Sequence, residues 1–293
     1  MDDRLGRWVR LHWQPTDPIL WAGPTWAMLC GVANSAGFRT EATTITRLIL
    51  TWFLADPILG AVWAGAADIH AAASEGHPGP DDPPAVRLPW LPYTLPDSPG
   101  GRLRACLERA LGHCRDGSPW GTALGGLILG TALSLLLGII IGGMALWLTA
   151  AGLALAWVGA VSRPTQAGRV RIRLFFPILL SWLLGHAVLS PLSWPSVALA
   201  GLYALAIYSY AILPHTDRWQ GHVFLASLAQ LLIMLLLVLH GQPLLAGIVG
   251  SLIWMQLLWQ LPLLGRGQHV AYWRLSNLPL LASMMISAWG LAR

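Results

Sequence analysis

Apolar stretches of membrane-crossing length recur nine times along this chain, and that recurrence restricts the fold more than any other feature. A helix crossing the hydrocarbon core needs about 20 mostly apolar residues, because inside a bilayer each backbone N–H and C=O has to be satisfied within its own segment. The stretches cover roughly 18–37, 45–69, 120–138, 141–161, 173–190, 194–213, 222–240, 243–263 and 271–291. The third and fourth meet at GIIIGG, and one helix through both would far exceed the thickness of the membrane. Composition agrees: 55% of residues are hydrophobic and 11% charged, and the mean hydropathy is +0.58. The expected fold is all-α, a polytopic membrane bundle of nine transmembrane helices forming a single membrane domain over 1–293.

The arginines supply an orientation. All 18 basic residues are arginines, since the chain contains no lysine. Arg4, Arg7 and Arg10 lie in the N-terminal tail, and Arg87, Arg102, Arg104, Arg109, Arg115, Arg163, Arg169, Arg171, Arg173, Arg218, Arg266 and Arg274 lie in the even-numbered connections. Arg39, Arg47 and Arg293 fall outside that set. Cytoplasmic loops collect positive charge, so the pattern predicts a cytoplasmic N-terminus, and eight or ten spans would spoil it. Arginines placed between apolar runs act on topology and lipid headgroups, so nucleic acid is not an expected partner.

One sizeable polar loop, 71–118, separates the second and third spans. Its first half is rich in Pro and Gly. Its second half, GGRLRACLERALGHC, repeats Leu103, Leu107 and Leu111 among arginines, which predicts an amphipathic helix over about 101–114 lying on the cytoplasmic membrane surface. Cys30, Cys106 and Cys114 have no metal-site spacing and are expected to be free thiols. The N-terminal tail carries acids and tryptophans and lacks a small-residue cleavage site, so the first apolar run is expected to be an anchor. No nucleotide-binding glycine loop, nucleophile elbow or metalloprotease signature occurs, and no internal repeat of the kind a transporter would carry.

Few residues are left to carry chemistry. Asp68 and Glu75 close the second span; on a continuous helix they share a face about 10 Å apart along the axis, too far for one metal ion, and Ala71 stands between them. They read either as remnants of a metal site or as an ordinary polar helix end. Asp217 is the only acid after Asp116, with His215 and His222 near it. Asp56 precedes Pro57 inside the second span, where an acid is costly and faces a cavity or a hydrogen-bond partner beside a proline kink. His186 lies within an apolar run, as a candidate ligand for a pigment magnesium or as a packing residue. Seventeen tryptophans exceed what a chain of this size normally carries, and an interfacial belt accounts for most of them. Trp13, Trp21, Trp90, Trp120, Trp194, Trp219 and Trp273 fall near predicted interfaces, whereas Trp147, Trp157, Trp182, Trp254 and Trp259 fall inside spans, to fill space against lipid or to flank a flat pigment.

In DPILWAGPTWAMLCGVANSAG, residues 17–37, the set Pro18, Trp21, Pro24, Trp26, Ala27, Cys30, Gly31 and Ser35 resembles the first membrane helix of chlorophyll and bacteriochlorophyll synthases. Those enzymes belong to the UbiA-type intramembrane prenyltransferase superfamily. The nine spans, the N-inside orientation and the larger cytoplasmic loops after spans two and six extend the resemblance. It implies a helical bundle around a central cavity open sideways to lipid, in which loop aspartates hold magnesium against an isoprenoid diphosphate. The family's first motif, Asn-Asp-x-x-Asp-x-x-x-Asp, falls here on Ala67, Asp68, Ala71 and Glu75, and the second would fall in YSYAILPHTDRWQGH, where Asp217 stands alone.

Two readings follow from the resemblance. In one, the chain has lost prenyl transfer and keeps a cavity for an isoprenoid-tailed molecule such as a bacteriochlorophyll, carotenoid or quinone. It would then serve as a structural or assembly subunit beside photosynthetic reaction-centre or light-harvesting chains, in the inner membrane of a bacterium. In the other, Asp68, Glu75 and Asp217 hold one magnesium, and Arg163, Arg169 or Arg218 takes up the remaining phosphate charge.

Overall fold

The computed structural model of the protein describes residues 18–35, 37, 40–75, 119–161, 174–216 and 219–292, without the side chains of 18–22, 68–75, 119–123, 161, 215 and 261. The described residues are mostly helical, with no strand among them. The helices are α1 (Pro18–Asn34), α2 (Ala42–Phe53), α3 (Leu59–Glu75), α4 (Pro119–Ile141), α5 (Gly143–Val161), α6 (Phe176–Ala187), α7 (Trp194–Ala211), α8 (Trp219–Leu239), α9 (Pro243–Leu264) and α10 (His269–Leu291). A five-residue π turn, Leu54–Ile58, joins α2 and α3 into one rod, so each of the nine apolar stretches corresponds to one rod among the described residues.

Five segments are both long and apolar enough to cross a membrane: Ala42–Ala67, Leu124–Ile141, Gly143–Ala160, Trp219–Leu239 and Pro243–Leu264. Phe176–Ala187 is a shorter apolar helix. The chain is a multi-pass membrane protein by this measure, and its outer faces agree. Trp147, Val158, Leu239, Leu244, Trp254 and Leu278 are all exposed, as side chains that meet hydrocarbon should be.

Several ends differ from expectation for local reasons. The rod formed by α2, the π turn and α3 begins at Ala42 and runs through Glu75, well past the apolar run. Its 34 residues, the sum of 12, 5 and 17, span about 50 Å against a core of about 30 Å, so its last turns extend beyond the apolar layer. Pro57 does not break this rod. A proline lacks the N–H that a helix needs, and the π turn absorbs the defect by widening one turn, with Leu59 N–H reaching back five residues to Leu54 O. The α4–α5 connection falls at Gly142 and Gly143, whose φ of 79° and 58° only glycine adopts readily. The amphipathic helix expected over 101–114 lies outside the described residues, as do Cys106 and Cys114; Cys30 is a buried free thiol.

Two groups of helices make the bundle. In the first, α1, α6, α7, α8, α9 and α10 pack in succession around one apolar core, and the contact of α10 with α1 closes the ring. Trp26 on α1 seals that closure by donating its indole N–H to Leu281 O at 2.9 Å. In the second, α3 packs on α4 and α5, and a separate core containing Leu54, Leu59, Val62, Trp63, Ala66, Ala67, Leu127 and Ala156 fills the space between them. The groups meet along α1 and α6, which belong to the ring and also line the second core through Met28, Leu180 and Leu184. A Cβ on Gly31 would overlap the Trp182 carbonyl, and one on Gly185 would overlap the Met28 carbonyl, so both positions need glycine for the backbones to approach this closely.

Candidate functional site

Trp63 lies in the second core, fully buried and stacked on Phe176 at the start of α6, with ring centroids 5.7 Å apart and planes 16° apart. Phe176 meets Phe175 edge to face at 5.3 Å, Phe175 meets Tyr208 near the end of α7 at 6.4 Å, and Tyr208 meets His222 in the first turn of α8 at 6.3 Å. Five rings thus run in an unbroken row across α3, α6, α7 and α8, each contact within the separation at which aromatic quadrupoles attract. Trp219 and His269 extend the same end of the bundle to α10, 6.1 Å apart. The sequence reading did not find this row, because it is assembled from single aromatics on four helices and has no local pattern.

The row is near the acid positions in sequence. Asp68 follows Trp63 by five residues on α3, and Asp217 precedes His222 by five residues. Asp68 and Glu75 lie on α3, which is helical from one to the other, so their positions are about 10 Å apart along the axis. Their side chains, together with Arg163, Arg169, Asp217, Arg218 and the side chain of His215, lie outside the described residues. The two remaining motif positions are informative. Ala67 is completely buried in the second core beside Trp63 and Ala66, and Ala71 offers no oxygen. Magnesium takes oxygen ligands in near-octahedral array at about 2.0–2.1 Å. Two acids two helical turns apart, with packed or oxygen-free alanines at the other motif positions, do not supply that ligand set on α3. Among the described residues no three His, Cys, Asp or Glu side chains cluster closely enough to hold a metal ion.

His186 is at the other end of the bundle, ten residues along α6 from Phe176, about 15 Å by helical rise. It is buried, and its Nε2 lies 3.1 Å from both the Pro191 carbonyl and the Ser190 hydroxyl. That nitrogen therefore closes the turn after α6, and Nδ1 is the ring nitrogen left over. The structure does not bring His186 together with the Asp68 and Glu75 positions on α3.

A second polar site occurs at the π turn. Thr25 on α1 donates its hydroxyl to Asp56 Oδ2, and Trp52 donates its indole N–H to the Thr25 oxygen at 3.0 Å. Asp56 is half-buried and Trp52 is 38% exposed on the outer surface, so this chain of two hydrogen bonds runs inward from the lipid-facing side. A third site joins four helices of the closed ring. Gln230 Nε2 donates to Gln256 Oε1 at 2.7 Å, Gln256 Nε2 donates to the Ser276 carbonyl at 3.2 Å, and the Tyr210 hydroxyl lies 3.2 Å from Gln256 Oε1. All three side chains are buried, and Tyr210 packs edge to face on Tyr272. Glutamines inside otherwise apolar spans were the available signal for this cluster.

No family model, curated protein or solved structure matches this chain.

Proposed function

We propose that the chain is a non-catalytic membrane protein of the UbiA type that binds an isoprenoid-tailed pigment or lipid, with nine transmembrane helices around a cavity open to lipid and a cytoplasmic N-terminus. The observation that carries this reading is the burial of Ala67. The position that would be a polar asparagine in an active member is packed into the apolar core, one turn beyond the stacked pair Trp63–Phe176. Where a catalytic site would gather oxygen ligands, this end of the bundle gathers aromatic rings, which suit a flat conjugated ring or a polyene better than a diphosphate.

The resemblance of the first helix to chlorophyll synthases narrows the ligand to a bacteriochlorophyll, carotenoid or quinone. It also suggests the role, a structural or assembly subunit beside reaction-centre or light-harvesting chains in a bacterial photosynthetic or cytoplasmic membrane. The rival reading is an active prenyltransferase with Asp68, Glu75 and Asp217 as magnesium ligands and Arg163, Arg169 and Arg218 on the phosphates. It is favoured by the chemistry of arginine toward phosphate alone.

Gentle purification from the native membrane tests the two. A binding subunit brings down stoichiometric pigment or lipid together with partner chains, and Asp68→Ala and Asp217→Ala leave both unchanged. Magnesium-dependent prenyl transfer that falls by orders of magnitude in Asp68→Ala would overturn the non-catalytic reading.

A further inference from the structure

We propose that Asp56, Thr25 and Trp52 form a mid-membrane site, open to the lipid phase, that hydrogen-bonds the ring carbonyl of an isoprenoid-tailed molecule. The inference rests on the reading that the chain binds such a molecule, and adds where its ring sits and which chemical group is recognised.

Three observations lead to it. The first is depth. Asp56 lies near the middle of the apolar segment Ala42–Ala67, where a carboxyl group is expensive and marks a functional position by default. The helix is also widened there into a π turn, a feature that recurs at functional sites. The second is hydrogen bonding. The side chain that reaches Asp56 is a hydroxyl, and it engages Oδ2. Oδ1 faces the position of Gly60, where a Cβ would find that oxygen at 3.9 Å and, apart from the chain neighbours and the helix's own backbone, nothing else within 4 Å. A carboxylic acid whose carbonyl oxygen accepts from Thr25 keeps its own O–H on the other oxygen, directed to a space left by a missing side chain. The third is shape. The Trp52 ring is held by its bond to Thr25, stands edge to face with Phe53 at 4.9 Å, and is part-exposed on the outer surface. A donor beside a fixed aromatic plane suits a flat ring bearing a carbonyl, as in a quinone head or the keto group of a chlorin, with the tail left in the bilayer.

Dicyclohexylcarbodiimide, an apolar reagent that adds to protonated carboxyl groups from the membrane phase, provides the probe. The full-length protein in nanodiscs is treated with it, and the adduct is located by peptide mass spectrometry in the presence and absence of decylubiquinone or bacteriochlorophyll. The expected result is an adduct on Asp56 that is absent in Asp56→Asn and suppressed by one of the two ring compounds, which identifies the source of the carbonyl. In direct titration with the protecting compound, Asp56→Leu should weaken binding about tenfold, the worth of one hydrogen bond. An unlabelled Asp56 in the folded wild-type protein overturns the proposal, and so does labelling that neither compound slows. Wild-type labelling needs no variant to fold. If the protein purifies with pigment or lipid that does not protect Asp56, only this site fails; if no isoprenoid-tailed molecule binds at all, the underlying reading fails with it.

Discussion

The two groups of helices bury polar side chains in different ways. In the closed ring of α1 and α6–α10, a set of hydroxyls and amides bonds from helix to helix, although Ser283 turns back to Leu280 O: Tyr210, Gln230 and Gln256 join three helices and reach the Ser276 backbone on a fourth, and the Tyr203 hydroxyl lies 2.8 Å from that of Ser287 on α10. In the group around α2–α5, threonines mostly turn back on their own helix, Thr51 to Arg47 O, Thr131 to Leu127 O and Thr149 to Ala145 O. Trp157 to Thr131, at 3.1 Å, is a cross-helix bond in that group. A back-bonded hydroxyl is satisfied in any helix arrangement, whereas an interhelical bond is satisfied in only one. The ring is therefore fixed in register by polar contacts, and the second group is held mainly by apolar packing and small residues, which tolerate adjustment. The π turn and Asp56 sit at the border between them, in contact with α1 and α6.

The largest effect is expected where α1 meets α6, the two ring helices that also line the second core. Gly185→Leu places a side chain on the Met28 carbonyl and should cost about 3 kcal/mol or more, seen as loss of monodisperse protein in detergent and a collapse of thermal stability. Next is Gln256→Leu, which strands the Gln230 Nε2 in the core, leaves the Tyr210 hydroxyl only its 3.4 Å bond to Gln230 Oε1, and should cost about 1–3 kcal/mol by equilibrium unfolding. The triple variant Tyr210→Phe/Gln230→Leu/Gln256→Leu should recover part of that loss, because it removes all three bonded side chains together. The smallest effect is expected at Thr149→Val, which removes a hydroxyl bonded only within its own helix and should stay within about 0.5 kcal/mol. A large loss at Thr149, or none at Gln256, would erase the distinction between the halves.

The helices were legible in the sequence because each is set by its own run of apolar residues, and all nine runs have their rod. Ends were less legible where a local device intervenes, as when the π turn carries the helix through Pro57 and α3 continues through Asp68 to Glu75. The buried position of His186 could be read from its apolar neighbours, but its bond to the turn at Ser190 and Pro191 could not, since that depends on how the chain leaves α6. The aromatic row and the Gln230–Gln256 cluster combine residues from helices far apart in sequence, and neither periodicity nor spacing marks such a set. The burial of Ala67 likewise required the packing of α3 against α4 and α5.

The close meeting of Gly31 with Gly185 also has a temporal side. These partners are separated by 154 residues (185 − 31), which at about 5–20 residues per second corresponds to roughly 8–30 s of synthesis. Throughout that interval α1 resides in the membrane with its glycine-lined face unmatched, while the intervening helices are inserted around it. α1 therefore waits for this neighbour while the rod of α2 and α3, then α4 and α5, are made, and a nascent chain halted before α6 would leave that face open to any other helix in the bilayer.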